Sequence, residues 1–213
     1  MTLSRLLNLF LAASSCALAA ENKESFDATT QLPAGWQSGI TGHGSAKWEV
    51  VADESGPSKP NVLRQSGEAT FAWAAKVDAA IKNGFVEVKL KPVSGREDQA
   101  GGIVWRFKDA NNYYVVRANA LEGNVVLYKT VAGKRSSLQV KGRMFGYGVD
   151  AKVPGGKWST LRVEFAGKSF TVSLNGKKLF DVEDETFAAA GGVGVWTKAD
   201  SVTLFDDFTF GTK

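Results

Sequence analysis

The chain has one cysteine and one histidine in 213 residues. Cys16 lies within the first 20 residues, so the rest of the chain can form no disulfide and must draw its stability from a hydrophobic core. With His43 as the lone histidine, in Gly42-His43-Gly44 with no acidic neighbour, neither a zinc site nor a Ser/His/Asp constellation can be assembled from the sequence. Proline is scarce, at 5 residues. Past the N-terminus no apolar run approaches the roughly 18 residues of a membrane-spanning helix, so no transmembrane helix is expected there. Charge of one sign is also missing: 26 Lys+Arg face 22 Asp+Glu, a net +4 with the signs interspersed. No basic stripe exists to track phosphates, and nucleic acid is not an expected partner.

What is present suits one soluble globular domain: 44% hydrophobic, 23% charged and 11% aromatic residues. The first residues combine Arg5, an apolar stretch from Leu6 to Ala13 and the small-residue ending Ala17-Leu18-Ala19. That order reads as a signal peptide over residues 1–19, leaving a single domain over 20–213 that is periplasmic or secreted. A lipid anchor at Cys16 competes, since Ala13-Ser14-Ser15 precede it. The discarded leader is favoured, because Ala13 stands where lipoprotein leaders carry a branched apolar residue.

The remainder is an all-β chain. Its 23 glycines punctuate short β-rich runs, and no window keeps a helical apolar period for three turns. Val86, Val88 and Leu90 alternate with Glu87, Lys89 and Lys91; the segments Leu161 to Phe165 and Phe170 to Leu174 repeat the pattern. Ala166-Gly167-Lys168 separates those two segments, and Asn175-Gly176 supplies a type I′ hairpin turn. About a dozen strands are expected, among them Ser136 to Val140 and Gly192 to Thr197. An antiparallel β-sandwich is the economical way to pack so many. Short helical turns are expected at Val77 to Ile81 and Thr186 to Ala189.

Gly101-Gly102-Ile103-Val104-Trp105-Arg106, then Asn112-Tyr113-Tyr114-Val115-Val116-Arg117, Trp158 ahead of Asn175-Gly176-Lys177, and Gly192-Val193-Gly194-Val195-Trp196 before Phe205-Asp206-Asp207-Phe208 form an ordered set. In pieces and order it resembles the concanavalin A-like jelly roll of laminin-G-type domains. Bacterial secreted domains described as 3-keto-disaccharide hydrolase-like share the resemblance. The resemblance implies a jelly-roll sandwich; members of the superfamily bind glycans, hydrolyse them or join proteins, so fold alone does not choose among these. The Glu-x-Asp-x-x-Glu string of glycoside hydrolase family sixteen is absent. Glu183-Asp184-Glu185 does not replace it, because consecutive carboxylates on a strand point to opposite faces.

Alternation places Tyr113, Val115, Arg117 and Asn119 on one face of a strand, with Arg106 and Trp196 on neighbouring strands able to join them. Rings that stack on sugar faces, flanked by Arg and Asn, would make a glycan site on a concave sheet, with Arg106, Tyr113, Arg117, Asn119 and Trp196 as its ligand-binding residues. Packing and surface decoration is the competing reading, with Arg106 as a structural partner of Asp98 or Asp200. Trp36, Trp48 and Trp158 read as core or edge packing, while Trp73 and Trp105 are undecided. A carbohydrate-recognising domain is the leading functional expectation. A hydrolase of 3-keto-glycosides is the alternative, for which Asp98, Arg106 and Asp200 are the catalytic candidates. A protein-interaction sandwich is the third option. Asp206, Asp207 and Asp27 are candidates for a structural calcium ion where the chain ends meet; no other cofactor is expected.

Overall fold

The computed structural model describes residues 21–213; the leader and Cys16 lie outside the described residues. Among these there are sixteen strands and no helix. They are β1 (Glu21–Glu24), β2 (Trp36–Ser45), β3 (Trp48–Ala52), β4 (Asn61–Gln65), β5 (Glu68–Ile81), β6 (Gly84–Ser94), β7 (Ala100–Asp109) and β8 (Asn112–Asn119). The second half holds β9 (Asn124–Val131), β10 (Lys134–Ser137), β11 (Val149–Asp150), β12 (Ser159–Ala166), β13 (Ser169–Leu174), β14 (Lys177–Glu183), β15 (Gly191–Ala199) and β16 (Val202–Thr212). The first sheet runs β14-β13-β12-β6-β16-β4-β3 with β1 added to β16. The second runs β10-β9-β8-β7-β15-β5-β2 with β11 added to β9.

The alternation in the sequence decides which side chains meet. In the first sheet Val86 pairs with Val163 and Val88 with Leu161, while Phe165 faces Phe170. All six are buried and point to the second sheet, from which Ile103, Trp105, Tyr114, Val116, Val193 and Val195 reply. Trp105 is the hub: its ring stacks on Tyr114 at 5.3 Å and on Phe165 at 6.1 Å, and meets Phe170 edge-on at 5.4 Å. Trp36 packs in the same core against Phe26 and Phe208. Trp48 lies over Phe205, and Trp158, half-buried just ahead of β12, donates its indole N–H to Ser55 Oγ.

The β13–β14 turn forms as the residue pair requires, with φ of +51° at Asn175 and +75° at Gly176. The expected helical turns do not form. Residues 77–81 continue β5, because Ala79 and Ile81 are buried at a spacing of two, which only an extended chain provides. Residues 186–189 are irregular: the Thr186 N–H is taken by Asp184, the Phe187 N–H by the Tyr114 hydroxyl and the Phe187 carbonyl by Arg106, so no helical hydrogen bond closes. β10 stops at Ser137, short of the expected Val140, which leaves this sheet and bridges Val182 of the other.

Replacing Trp105 with Ala should lower the unfolding free energy by about 3–5 kcal/mol in chemical denaturation. Trp158→Ala, at a half-buried position, should cost clearly less in the same measurement.

Candidate functional site

The outward side of the second sheet carries the residues that alternate with its core. These are Phe71, Trp73 and Ala75 from β5, Val104 from β7, Tyr113 and Val115 from β8, Val126 and Tyr128 from β9, and Trp196 from β15. This side is not an open platform. Phe71 stacks on Trp196 at 5.3 Å, Trp73 meets Phe107 at 4.8 Å and Phe107 stacks on Tyr113 at 5.4 Å. The β7–β8 hairpin curls over it, tied down where the Thr41 hydroxyl bonds the Ala110 carbonyl and the Tyr113 hydroxyl. From the edge strand β10 the Arg135 guanidinium lies over Tyr128 at 4.2 Å, Phe71 at 4.5 Å and Trp196 at 5.5 Å. Tyr113 and Trp196 consequently have 0% exposure. They form a second, closed aromatic core.

Arg106 leaves this face. A bulge shifts the β7 register after Trp105, and Arg106 itself takes φ +46°. Its guanidinium turns to the inner rings, 5.8 Å over Phe165 and 5.5 Å over Phe170. There it donates to the carbonyls of Phe187 (2.7 Å), Gly167 (2.6 Å) and Lys82 (3.0 Å). None of these bonds reaches a carboxylate, so Arg106 is not the partner of Asp98 or Asp200. Strict alternation would have kept it beside Val104; the extra residue in the bulge is why it is not.

At the other end of the face the predicted residues do come together. Arg117, fully buried, grips Glu122 bidentately at 2.7 and 2.9 Å and donates to Asn124 Oδ1 at 2.6 Å. Asn119 Nδ2 donates to Asp98 Oδ1 at 2.5 Å and to Glu122 Oε1 at 3.0 Å. Asp98 lies 3.8 Å from Arg117 and forms an ion pair with Lys198. Hydrogen bonds from Arg117 hold the Glu122 carboxyl far below its ordinary value, at about 2. Asp200 is not in this network, but its carboxylate accepts the backbone N–H groups of Arg96 (2.6 Å), Glu97 and Asp98 (both 3.0 Å), which fixes the loop that presents Asp98.

A groove of about 580 Å³ opens beside Lys198, lined by His43, Gly44, Glu68, Phe71 and Glu97 among others. Gly44 shapes this wall: at φ +106° a Cβ there would come within 2.3 Å of the Glu68 carbonyl, so no other residue fits. Lys198, Glu122, Asn124 and Phe71 were not singled out from sequence. The alternation Gly194, Trp196, Lys198 contains the signal for Lys198, but the expected strand ends at Thr197, one residue short. For Arg135 no local signal exists, because its ring partners come from three other strands.

The calcium candidates are differently engaged. Asp206 is buried and accepts the Ser58 N–H and hydroxyl at 2.8 and 2.7 Å, and burial raises its pKa. Asp207 is paired with Lys23 at 2.7 Å and Lys89 at 2.6 Å. Burial opposes its charged form, yet the two ammonium groups hold its pKa low. Asp27 accepts the Asn61 N–H at 2.9 Å. Among the described residues no group of three or more His, Cys, Asp or Glu is placed to hold a metal ion. A calcium ion here would have to displace two lysines, so these carboxylates do not fit the expected site.

With this geometry in hand, comparison with known proteins is informative. A family model described as the 3-keto-alpha-glucoside-1,2-lyase-like domain matches residues 21–208. The chain belongs to that family. A search of curated proteins gives no match. Among solved structures, the carbohydrate-binding module CBM66 from Bacillus subtilis superposes with a TM-score of 0.65 at 19% identity, covering 86% of this chain and 97% of that one. Domain 4 of the extracellular arabinanase AbnA from Geobacillus stearothermophilus, solved with arabinotriose, gives 0.58 at 15% identity over 91% and 93%. The Bacillus licheniformis beta-glucanase gives 0.55 at 13% over 91% and 98%. These likenesses establish the concanavalin A-like jelly-roll fold for this family member.

Two outcomes test the site's electrostatics. Because the folded-state pKa of Glu122 is depressed, its contribution to stability is present above its ordinary 4.5 and is lost as pH falls toward about 2. The stability gap between the parent domain and Glu122→Gln should therefore shrink across that window when both are unfolded in urea at stepped pH. Arg106→Met should destabilise through carbonyls left unpaired, at about 1–3 kcal/mol for each buried acceptor. The same variant should leave ligand affinity at the Lys198 end unchanged by calorimetry.

Proposed function

We propose that this domain recognises a carbohydrate in the groove at the Lys198 end of the second sheet. One observation carries the reading: a groove wall where a ring, Phe71, stands beside Lys198 and Glu97, with the Lys198 ammonium anchored from behind on Asp98 of the buried network with Arg117, Asn119 and Glu122. A sugar presents apolar C–H faces and hydroxyls around its edge, so its receptor needs an aromatic surface beside donors and acceptors already held in place. Lys198 and Glu97 meet the second need at reduced ordering cost, because Lys198 is held on buried Asp98 and pairs with Glu97 before any ligand arrives. The sugar-binding modules of the same fold support the reading by analogy. The leader read in residues 1–19 supports action outside the cytoplasm.

The family description favours a second reading, elimination from a 3-keto-glucoside. A C3 ketone acidifies the C2 hydrogen. A base removes that proton, the electron pair passes through the enolate, and the C1–oxygen bond breaks with the proton returned to the departing alcohol. His43, Glu68 and Glu97 are the groove groups able to act as the base, and the Lys198 ammonium faces them as a stabiliser of enolate charge. Among the earlier catalytic candidates only Asp98 touches this groove's network.

Titration of the domain with neutral and acidic oligosaccharides and 3-keto-glucosides, followed by chromatography of the same samples, separates the two readings. Recognition predicts unchanged ligand and an affinity reduced about tenfold or more in Lys198→Gln. Accumulating product with an unsaturated ring would make the domain a lyase. No binding and no turnover of any sugar would overturn both.

A further inference from the structure

Arg135 is the one guanidinium on this face that none of the network's carboxylates satisfies. Arg117 has Glu122, and Lys198 has Asp98 and Glu97. Arg135 forms no ion pair and no side-chain hydrogen bond among the described residues, and its Nη1 is buried without a partner. It is not loosely held, however. Three rings, Tyr128, Phe71 and Trp196, surround its guanidinium carbon at 4.2, 4.5 and 5.5 Å. Stacking engages the faces of the planar group and leaves the N–H donors at its edge free.

The surroundings repeat this surplus of donors. The indole N–H groups of Trp73 and Trp196 and the Nε of Arg117 are buried without partners on the same face. The Trp196 indole and the Thr130 hydroxyl approach Tyr113 without reaching hydrogen-bond geometry. Phe71, beneath Arg135, also lines the groove, so the two sites adjoin. Arg135 as a whole is half-buried, so a cation without a counter-charge stands here within reach of an arriving anion. Of the groove's own carboxylates, Glu97 is balanced by Lys198, and Glu68 forms no ion pair with Arg135.

Resting on the carbohydrate reading above, we propose that Arg135 is a ligand-binding and specificity-determining residue that receives the carboxylate of an acidic sugar. With Nη1 buried, the edge it offers is that of Nε and Nη2, whose two parallel N–H groups match the two carboxylate oxygens, a geometry an ammonium cannot copy. The ligand class is then a uronic-acid-containing oligosaccharide rather than a neutral one.

The experiment compares a glucuronic-acid-terminated disaccharide with its glucose-terminated counterpart by titration calorimetry, on the parent domain and on Arg135→Gln and Arg135→Lys. The expected result is a preference of about tenfold or more for the acidic sugar in the parent, abolished in Arg135→Gln and mostly lost in Arg135→Lys. Since the Arg135 side chain makes no hydrogen bond, thermal unfolding should show all three proteins folded; an unfolded variant would mean that Arg135 holds the aromatic face together and would overturn the assignment. Equal affinities in the parent, or a preference surviving in Arg135→Gln, would overturn it while leaving carbohydrate recognition standing. Tighter binding in Arg135→Gln would overturn it too, making Arg135 an occupant of the rings rather than a ligand contact. Failure of both sugars and of every neutral oligosaccharide to bind the parent would remove the carbohydrate reading itself.

Discussion

The central strands of the second sheet are buried on both faces, and the rest of the molecule follows from that constraint. β7, β8 and β15 face the first sheet on one side and the closed aromatic layer on the other. Side chains in the middle of these strands cannot rely on water, so a polar group there that finds no partner within the protein is costly. Arg117 shows how demanding this is. Moving a guanidinium out of water costs several kcal/mol, which the bidentate Glu122 contact and the Asn124 bond must offset. Gly102, between Arg117 and Trp196 in the register, shows the steric side of the same crowding: a Cβ there would approach the Val116 carbonyl to 2.5 Å.

The bulge after Trp105 divides the outward face into a sealed end and an open one. By adding a residue it puts Phe107 beside Trp73 and Tyr113, which completes the aromatic layer. The same step sends Arg106 inward, where its three carbonyl partners tie the β5–β6 and β12–β13 turns to the segment at Phe187. Sealing one end leaves the polar network and the groove at the other. Tyr114 and Asp184 brace the sealed end in a similar way. Burial works against the charge on Asp184, but bonds from Lys129, Thr186 and the Tyr114 hydroxyl outweigh it and hold the carboxyl at about 2.

What could be read from the sequence divides along the range of the interactions involved. Period-two alternation correctly sorted Val86, Val88 and Leu90, and likewise Tyr114, Val116 and Ala118, to the inner core, because strand geometry alone sets that outcome. It also grouped Tyr113, Arg117 and Asn119 on one face, and Trp196 with them. It failed at Arg106, where the bulge resets the period, and at 77–81, where partner strands extend β5 beyond the reach of local propensity. It gave no sign that Trp196 and Tyr113 would be covered, since the cover is a hairpin tip held by Thr41, 72 positions from Tyr113, and an arginine from an edge strand. Pairing across such separations has no local signature. The ordered motifs nevertheless carried the family, because they mark turns and core positions that the fold requires.

The network's own saturation bears on which chemistry the groove can support. A base that removes a proton from carbon needs a free lone pair and a basicity near the working pH. Glu122 has neither: its oxygens already accept from Arg117, Asn119 and Asn124, and at about 2 it is a weak base. Asp98 is engaged by Asn119 and Lys198. These two carboxylates are therefore suited to holding donors in place, which recognition requires, and poorly suited to taking up protons. A base for elimination would have to come from the solvated wall at His43, Glu68 or Glu97, acting on a substrate whose own ketone acidifies the reacting hydrogen. The geometry thus links the two readings: recognition demands nothing beyond what the network already fixes, whereas elimination demands that the substrate supply much of the activation.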